Sequence, residues 1–157
     1  MRKSKPCTRT LRSCLILAAF TSIAAPLPAN AFFHDASDIE RGRVVYAENC
    51  ASCHGGNLEG QPDWQSARAD GTYPAPPHDE TGHTWHHGDA MLLDYIRRGG
   101  QAVLDDMGVE FTSGMPAFTG ILSDDDIEAV LEFIKSTWPD TIRLTQEERS
   151  RADALSP

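Results

Sequence analysis

The chain has 157 residues, with 23 acidic against 14 basic side chains and a formal net charge of −9. Its length suits one domain. The acid excess makes nucleic acid and anionic lipid poor partners and leaves a basic protein surface as a plausible one.

The first 31 residues read as a targeting segment. Arg2, Lys3, Lys5, Arg9 and Arg12 form a basic start. Leu15 to Ala25 is an apolar run, shorter than the roughly 20 residues that span a bilayer, and Ala29-Asn30-Ala31 is a small-residue cleavage pattern. The expected mature chain begins at Phe32, is exported, and is not inserted in a membrane. Cysteine does not follow the cut, which argues against a lipoprotein. Removal of residues 1–31 leaves 126 residues with 9 basic and 23 acidic side chains, a net charge of −14. It also removes Cys7 and Cys14, so that only Cys50 and Cys53 remain and no disulfide framework is available.

Ser37-Asp38-Ile39-Glu40 has the pattern of a capping box, and Ile39, Gly42, Val45 and Tyr46 follow at helical spacing. The first helix is expected to run to about Cys50. A glycine inside a helix costs about 1 kcal/mol, which makes sense at position 42 if another helix crosses there. Next comes Cys50-Ala51-Ser52-Cys53-His54, the C-x-x-C-H pattern of covalent c-type haem attachment. On a helical turn, positions i and i+3 share a face. Both thiols can then reach the vinyl groups on one porphyrin edge, and the adjacent His54 can bring its imidazole under the iron. Half of a zinc site would need a second pair of soft ligands. A redox dithiol would sit in a βαβ setting, and no strand-rich pattern flanks this one.

Residues 55–88 read as loop, punctuated by six glycines and by Pro62, Pro74, Pro76 and Pro77. A structureless stretch of that length in a small domain implies that it wraps something. Trp64, Tyr73 and Trp85 could line a haem crevice, with the Trp85 indole N–H offered to a propionate. Asp89 is the expected N-cap of a second helix, with Leu92, Tyr95 and Ile96 on its apolar face, Arg97 and Arg98 in its last turn, and Gly99-Gly100 ending it. Residues 101–114 read as irregular. Ser123 opens a third helix with Asp124, Asp125 and Asp126 in the first turn, where the dipole favours carboxylates. Ile127, Val130, Leu131 and Ile134 form its stripe, Phe133 widens it, and Trp138-Pro139 closes it. Residues 140–157 read as a polar tail, docked at most by Ile142 and Leu144, with a short helix opening near Thr145.

A haem iron held by one histidine has a further position. Met115, on the Gly114-Met115-Pro116 loop, is the foremost candidate, because a rigid loop presents its thioether in a fixed direction and thioether ligation raises the potential. Met91 reads as helix packing and Met107 lies in a less rigid loop. His78, His83, His86 and His87 are rivals, either as a second haem ligand or as a copper or zinc site.

Together these residues resemble the class I mono-haem c-type cytochromes. The likeness covers about residues 37–138. It comprises Gly42 with Tyr46 on the first helix, Cys50 to His54, the Pro76-Pro77 segment, the helix from Leu92 to Gly99, the loop from Gly114 to Phe118, and a last helix with Phe133. The resemblance implies a small all-α fold, three main helices plus long loops wrapped around one covalent haem c, with a domain over residues 32–139. It implies that the first and last helices cross near Gly42 and Phe133, and that His54 and Met115 are the axial ligands. It also implies that a proline carbonyl accepts the Nδ1–H of the axial histidine, Pro76 being the first choice and Pro62 the second. Tyr46, Trp85 and Phe118 are expected in the haem pocket. The family often has leucine two positions after that proline, where this chain has His78.

The implied role is single-electron transfer in the periplasm between redox partner proteins, steered by acidic groups such as Asp105, Asp106 and Asp124 to Asp126. Two other roles remain. One is a peroxidase-like haem enzyme with an open distal site and His86 or His87 as its base. The other is an accessory protein that binds copper through the histidine loop.

Overall fold

The computed structural model describes residues 36–155. The leader expected over residues 1–31 lies outside them. Among the described residues there are six helices, α1 (Ala36–Asn49), α2 (Ala51–His54), α3 (Asp89–Arg98), α4 (Gly100–Asp106), α5 (Asp124–Ser136) and α6 (Asp140–Leu155), with a 3₁₀ turn at Thr84–His86. Among the described residues the only extended pairing is two isolated bridges, Thr72 with Thr112 and Thr119 with Leu122, so the fold is all-α. None of the described helices is long and apolar enough to cross a membrane.

The organising contact is α1 across α5. Gly42, Val45 and Tyr46 are the buried residues of α1. A Cβ on Gly42 would fall 2.6 Å from the Ala129 carbonyl carbon and 2.8 Å from Phe133 Cβ, so the missing side chain is what lets the two backbones touch. The stripe of α5 is buried as its spacing predicts, with Ile127, Val130, Leu131 and Ile134 all at most 4% exposed. Ser123 caps the helix. Its hydroxyl accepts from the Asp126 N–H while the Asp126 carboxylate accepts from the Ser123 N–H, which satisfies two otherwise orphaned donors. The core gathers Val45, Tyr46, Leu58, Val130, Ile134 and Trp138, with Cys50, Trp85, Ile96, Phe133 and Ile142 packed against it.

Four local expectations are corrected. α1 begins at Ala36, so Ser37 lies within it rather than at its N-cap. Gly88, not Asp89, is the N-cap of α3, because the Asp89 carboxylate is drawn into tertiary bonds with Lys135 and Gln146. Residues 101–114 are not wholly irregular. Gly99 ends α3 at φ +80°, a conformation that favours glycine, and the chain restarts at once as α4, which buries Val103 and Leu104. Seven residues are too few for a periodic signal to stand out.

The fourth correction is the tail. Residues 140–155 form a helix of 16 residues that packs against α3 and the 3₁₀ turn. Ile142 lies against the core, whereas Leu144 is 52% exposed. Gln146 does the docking and is fully buried. Its Nε2 reaches the His87 carbonyl at 3.1 Å, Asp89 Oδ1 at 2.6 Å and Ser150 Oγ at 3.0 Å. Beside it Lys135, 6% exposed, donates to Asp89 at 2.9 Å and to Glu132 at 3.1 Å. A buried ammonium is tolerated only when paired in this way. α3, α5 and α6 are thereby tied through one polar cluster.

Candidate haem-binding site

The C-x-x-C-H segment continues from α1 with one break. Cys50 N–H still donates to the Tyr46 carbonyl at 2.9 Å, and His54 N–H donates to the Cys50 carbonyl at 2.9 Å. The short helix α2 thus carries Cys53 and His54 with Cys50 at its N-cap. Tyr46, 2% exposed, clamps the other end, its hydroxyl donating to the Gly55 carbonyl at 2.9 Å. Burial raises the Tyr46 phenol pKa, and the charges of Cys50, Glu59 and Asp79 add to the rise, so the hydroxyl remains a donor.

Neither Cys50 nor Cys53 is in a disulfide; Cys50 is half-buried and Cys53 exposed. Burial, then the neighbouring Cys53, pushes the Cys50 thiol up to about 11. Redox dithiols depend on the opposite shift, a thiol lowered toward neutrality.

His54 is 8% exposed. Its Nδ1 lies 2.9 Å from the Pro76 carbonyl oxygen. A carbonyl can only accept, so Nδ1 carries the proton and Nε2 keeps the lone pair that a metal requires. Burial lowers the pKa of this imidazole, opposed by the Pro76 bond, which keeps the ring neutral at pH 7.

Pro76 is fixed beside His54 by pairing of its loop. Gln61 N–H donates to the Ala75 carbonyl at 2.9 Å, His78 N–H to the Leu58 carbonyl at 2.8 Å, and Gly60 N–H to the His54 carbonyl at 2.7 Å. Pro62 lies beyond this pairing.

Met115 and Phe118 belong to a second assembly. Gly100 N–H donates to the Met115 carbonyl at 3.1 Å and Phe118 N–H to the Ile96 carbonyl at 3.0 Å. Met115 N–H meets Ser113 Oγ at 3.2 Å, and Thr119 Oγ1 donates to the Arg97 carbonyl at 2.7 Å. The loop is thus stitched on both sides of the methionine to the junction of α3 and α4.

Trp85 stacks on His86 at a centroid distance of 3.7 Å and its indole N–H points to the Glu80 carbonyl at 3.3 Å. A backbone oxygen thus takes the donor that the sequence assigns to a propionate. His83 and His86 stack at 4.9 Å, and His83 meets His87 edge-on at 4.8 Å. Among the described residues no three His, Cys, Asp or Glu side chains are grouped to hold a metal ion.

His78 is elsewhere. Its ring lies flat on His54, centroids 4.0 Å apart and planes at 21°. Burial pushes its pKa well below the ordinary imidazole value, and the nearby His54 pushes the same way. The only sequence signal for this contact is its place two residues after Pro76.

The donor set fits a covalently attached haem. Two unpaired thiols at i and i+3 share one turn with a neutral, oriented imidazole, and a tethered methionine loop stands in the same domain. The steering carboxylates are less free than the sequence suggests. Arg97 pairs with Asp124, Arg41 with Asp125 and Asp126, and Arg98 with Asp106.

Comparison with known proteins agrees with this chemistry. The family model described as cytochrome c matches residues 39–138. The cbb3-type cytochrome c oxidase subunit CcoP of Azospirillum brasilense is 33% identical over 101 residues, which cover 64% of this chain and 28% of that protein. The chain thus matches less than a third of the CcoP length. Cytochrome c6 of Bumilleriopsis filiformis is 29% identical over 104 residues, covering 64% of this chain and 92% of that protein. No solved structure gives a significant match.

Proposed function

The chain belongs to the cytochrome c family, electron carriers with covalently bound haem c, and on that premise we propose a periplasmic shuttle of single electrons whose haem is held by Cys50 and Cys53 and whose iron is ligated by His54 and Met115. The observation that carries the reading is the His54 Nδ1 contact with the Pro76 carbonyl at 2.9 Å, on the same turn as two unpaired thiols. Haem c supplies an iron that accepts and releases one electron.

The remaining work falls to the polypeptide. Cys50 and Cys53 tether the group through thioether bonds. The Pro76 carbonyl holds the His54 tautomer and makes Nε2 more electron-rich. The loop from Ser113 to Thr119 presents the Met115 thioether, which favours the reduced state. Tyr46 and Trp138, buried in the core with Val45 and Leu58 and bonded to the Gly55 and His78 carbonyls, would keep water from the turn that carries His54 and so lessen the solvent rearrangement that accompanies a change of charge. A cleaved leader over 1–31 forms part of the same proposal, as does a basic docking patch on the redox partner, given the net charge of −14 that removal of the leader leaves.

Spectroelectrochemistry of the exported protein tests the ligand set. Met115→Ala is expected to keep the haem attached, as read by intact mass, and to lower the reduction potential. An unchanged potential refutes Met115 as a ligand. A mass equal to the bare polypeptide refutes the whole reading.

A further inference from the structure

We infer that His78 is the positioning residue for His54: its ring, stacked face to face on the proposed axial imidazole, sets the rotation of that imidazole about its Cβ–Cγ bond. The inference rests on the assignment of His54 proposed above. The Pro76 carbonyl restrains only one edge of the His54 ring. A single N–H···O bond acts as a hinge, because the ring can rock about it with little loss until the angle falls well below the preferred range. A flat neighbour removes that freedom, and His78 lies 4.0 Å away with its plane within 21°.

A neighbour can position a ring only if it is itself fixed, and His78 is fixed at four points. Its Nδ1 meets Thr84 Oγ1 at 2.7 Å. Its N–H donates to the Leu58 carbonyl at 2.8 Å, and its carbonyl accepts from Trp138 Nε1 at 2.7 Å. Tyr46 approaches its ring edge-on, 6.3 Å between centroids and 72° between planes. Thr84 is 8% and Trp138 4% exposed, so these anchors are shielded from water. Pro76 and His78 also stand two residues apart on one tethered segment, so edge and face restraints move together.

A leucine at position 78 could fill the same volume, but its branched end offers no plane. The rotation of an axial imidazole decides which iron d orbital its π system overlaps. Together with the orientation of the Met115 thioether, it would therefore set how unpaired spin spreads over the porphyrin in the ferric state. His78 thereby acts on the electronic character of the site without touching an electron-transfer partner.

The test is proton NMR of the haem-loaded ferric protein, read as the spread of the four ring-methyl resonances, for wild type, His78→Leu, His78→Phe and Thr84→Val. The wild type is expected to show a wide spread with shifted imidazole protons assigned to His54. His78→Leu is expected to narrow the spread, His78→Phe to restore most of it by supplying a flat face, and Thr84→Val to narrow it partly by freeing the His78 ring. A wild-type methyl pattern in His78→Leu overturns the inference. Should that variant not load haem, an unchanged pattern in Thr84→Val overturns it instead. A wild type without shifted His54 protons removes the His54 assignment and this inference together, which separates the two failures.

Discussion

Replacing Gly42 by alanine sets two effects of opposite sign against each other. In an exposed helix the change stabilises by about 1 kcal/mol, because alanine loses less backbone freedom and has the highest helix propensity. Here the new Cβ would stand 2.6 Å from the Ala129 carbonyl carbon and 2.8 Å from Phe133 Cβ, against 3.4 Å or more for ordinary contact. The Ala129 carbonyl oxygen would be nearer still, and a backbone carbonyl cannot rotate away as a side chain can, so relief requires α1 and α5 to part at their crossing; such overpacking costs roughly 3 kcal/mol. The separation would also loosen Tyr46 against Phe133, whose rings lie 5.5 Å apart. The net expectation is a loss of about 2 kcal/mol, or a fall of about 8 °C in Tm for a domain of this size. Urea unfolding of the haem-loaded protein, followed by far-UV circular dichroism, measures it. A variant as stable as wild type or more so refutes the claim that the crossing is held at backbone contact.

Gln146→Leu keeps the volume but strips the bonds to His87, Asp89 and Ser150. It should cost about 1–2 kcal/mol and speed amide exchange in α6 above all other helices. Replacing both Cys50 and Cys53 by alanine should yield little folded protein, since a domain this small counts its cofactor as core; a stable, helical product without haem by circular dichroism and mass would contradict that. The Asp89–Lys135 pair predicts a pH window. Burial opposes the charge on Asp89, but its bonds to Lys135, Gln146 and Ser150 outweigh burial and hold its pKa below the usual value, so its contribution is present above an unfolded pKa of about 3.9 and is lost as pH falls through the folded one. Burial likewise opposes the charge on Lys135, yet Asp89 and Glu132 raise its pKa, so its contribution is present below about 10.4 and is lost as pH rises through the folded value. Denaturation midpoints across pH should show this plateau in wild type, whereas Lys135→Met should lose the alkaline shoulder outright and weaken the acid one, since Asp89 keeps its bonds to Gln146 and Ser150.

Features that depend on neighbours in the chain are legible in the sequence. The spacing of Cys50, Cys53 and His54 is a one-turn relation, the helix start at Ser123 is marked by the three aspartates that follow it, and the stripe from Ile127 to Ile134 repeats over two turns. Gly42 was legible for a related reason: a residue costly to its own helix points to something beyond it. What those signals share is that backbone geometry alone converts spacing into position.

The tertiary structure decided what distant partners control. Asp89 resembles a helix cap until Lys135 and Gln146, 46 and 57 residues away, claim its carboxylate. The segment from Asp140 to Leu155 is polar enough to pass for a solvated tail, yet one buried glutamine docks it, because a hydrogen-bonded amide leaves no apolar stripe to read. Most of all, the flat contact of His78 with His54 arises from a loop folded back on Leu58 and closed by Trp138. A local pattern reports which groups lie near each other along the chain, whereas stacking of two rings needs a path through space that only the assembled fold supplies.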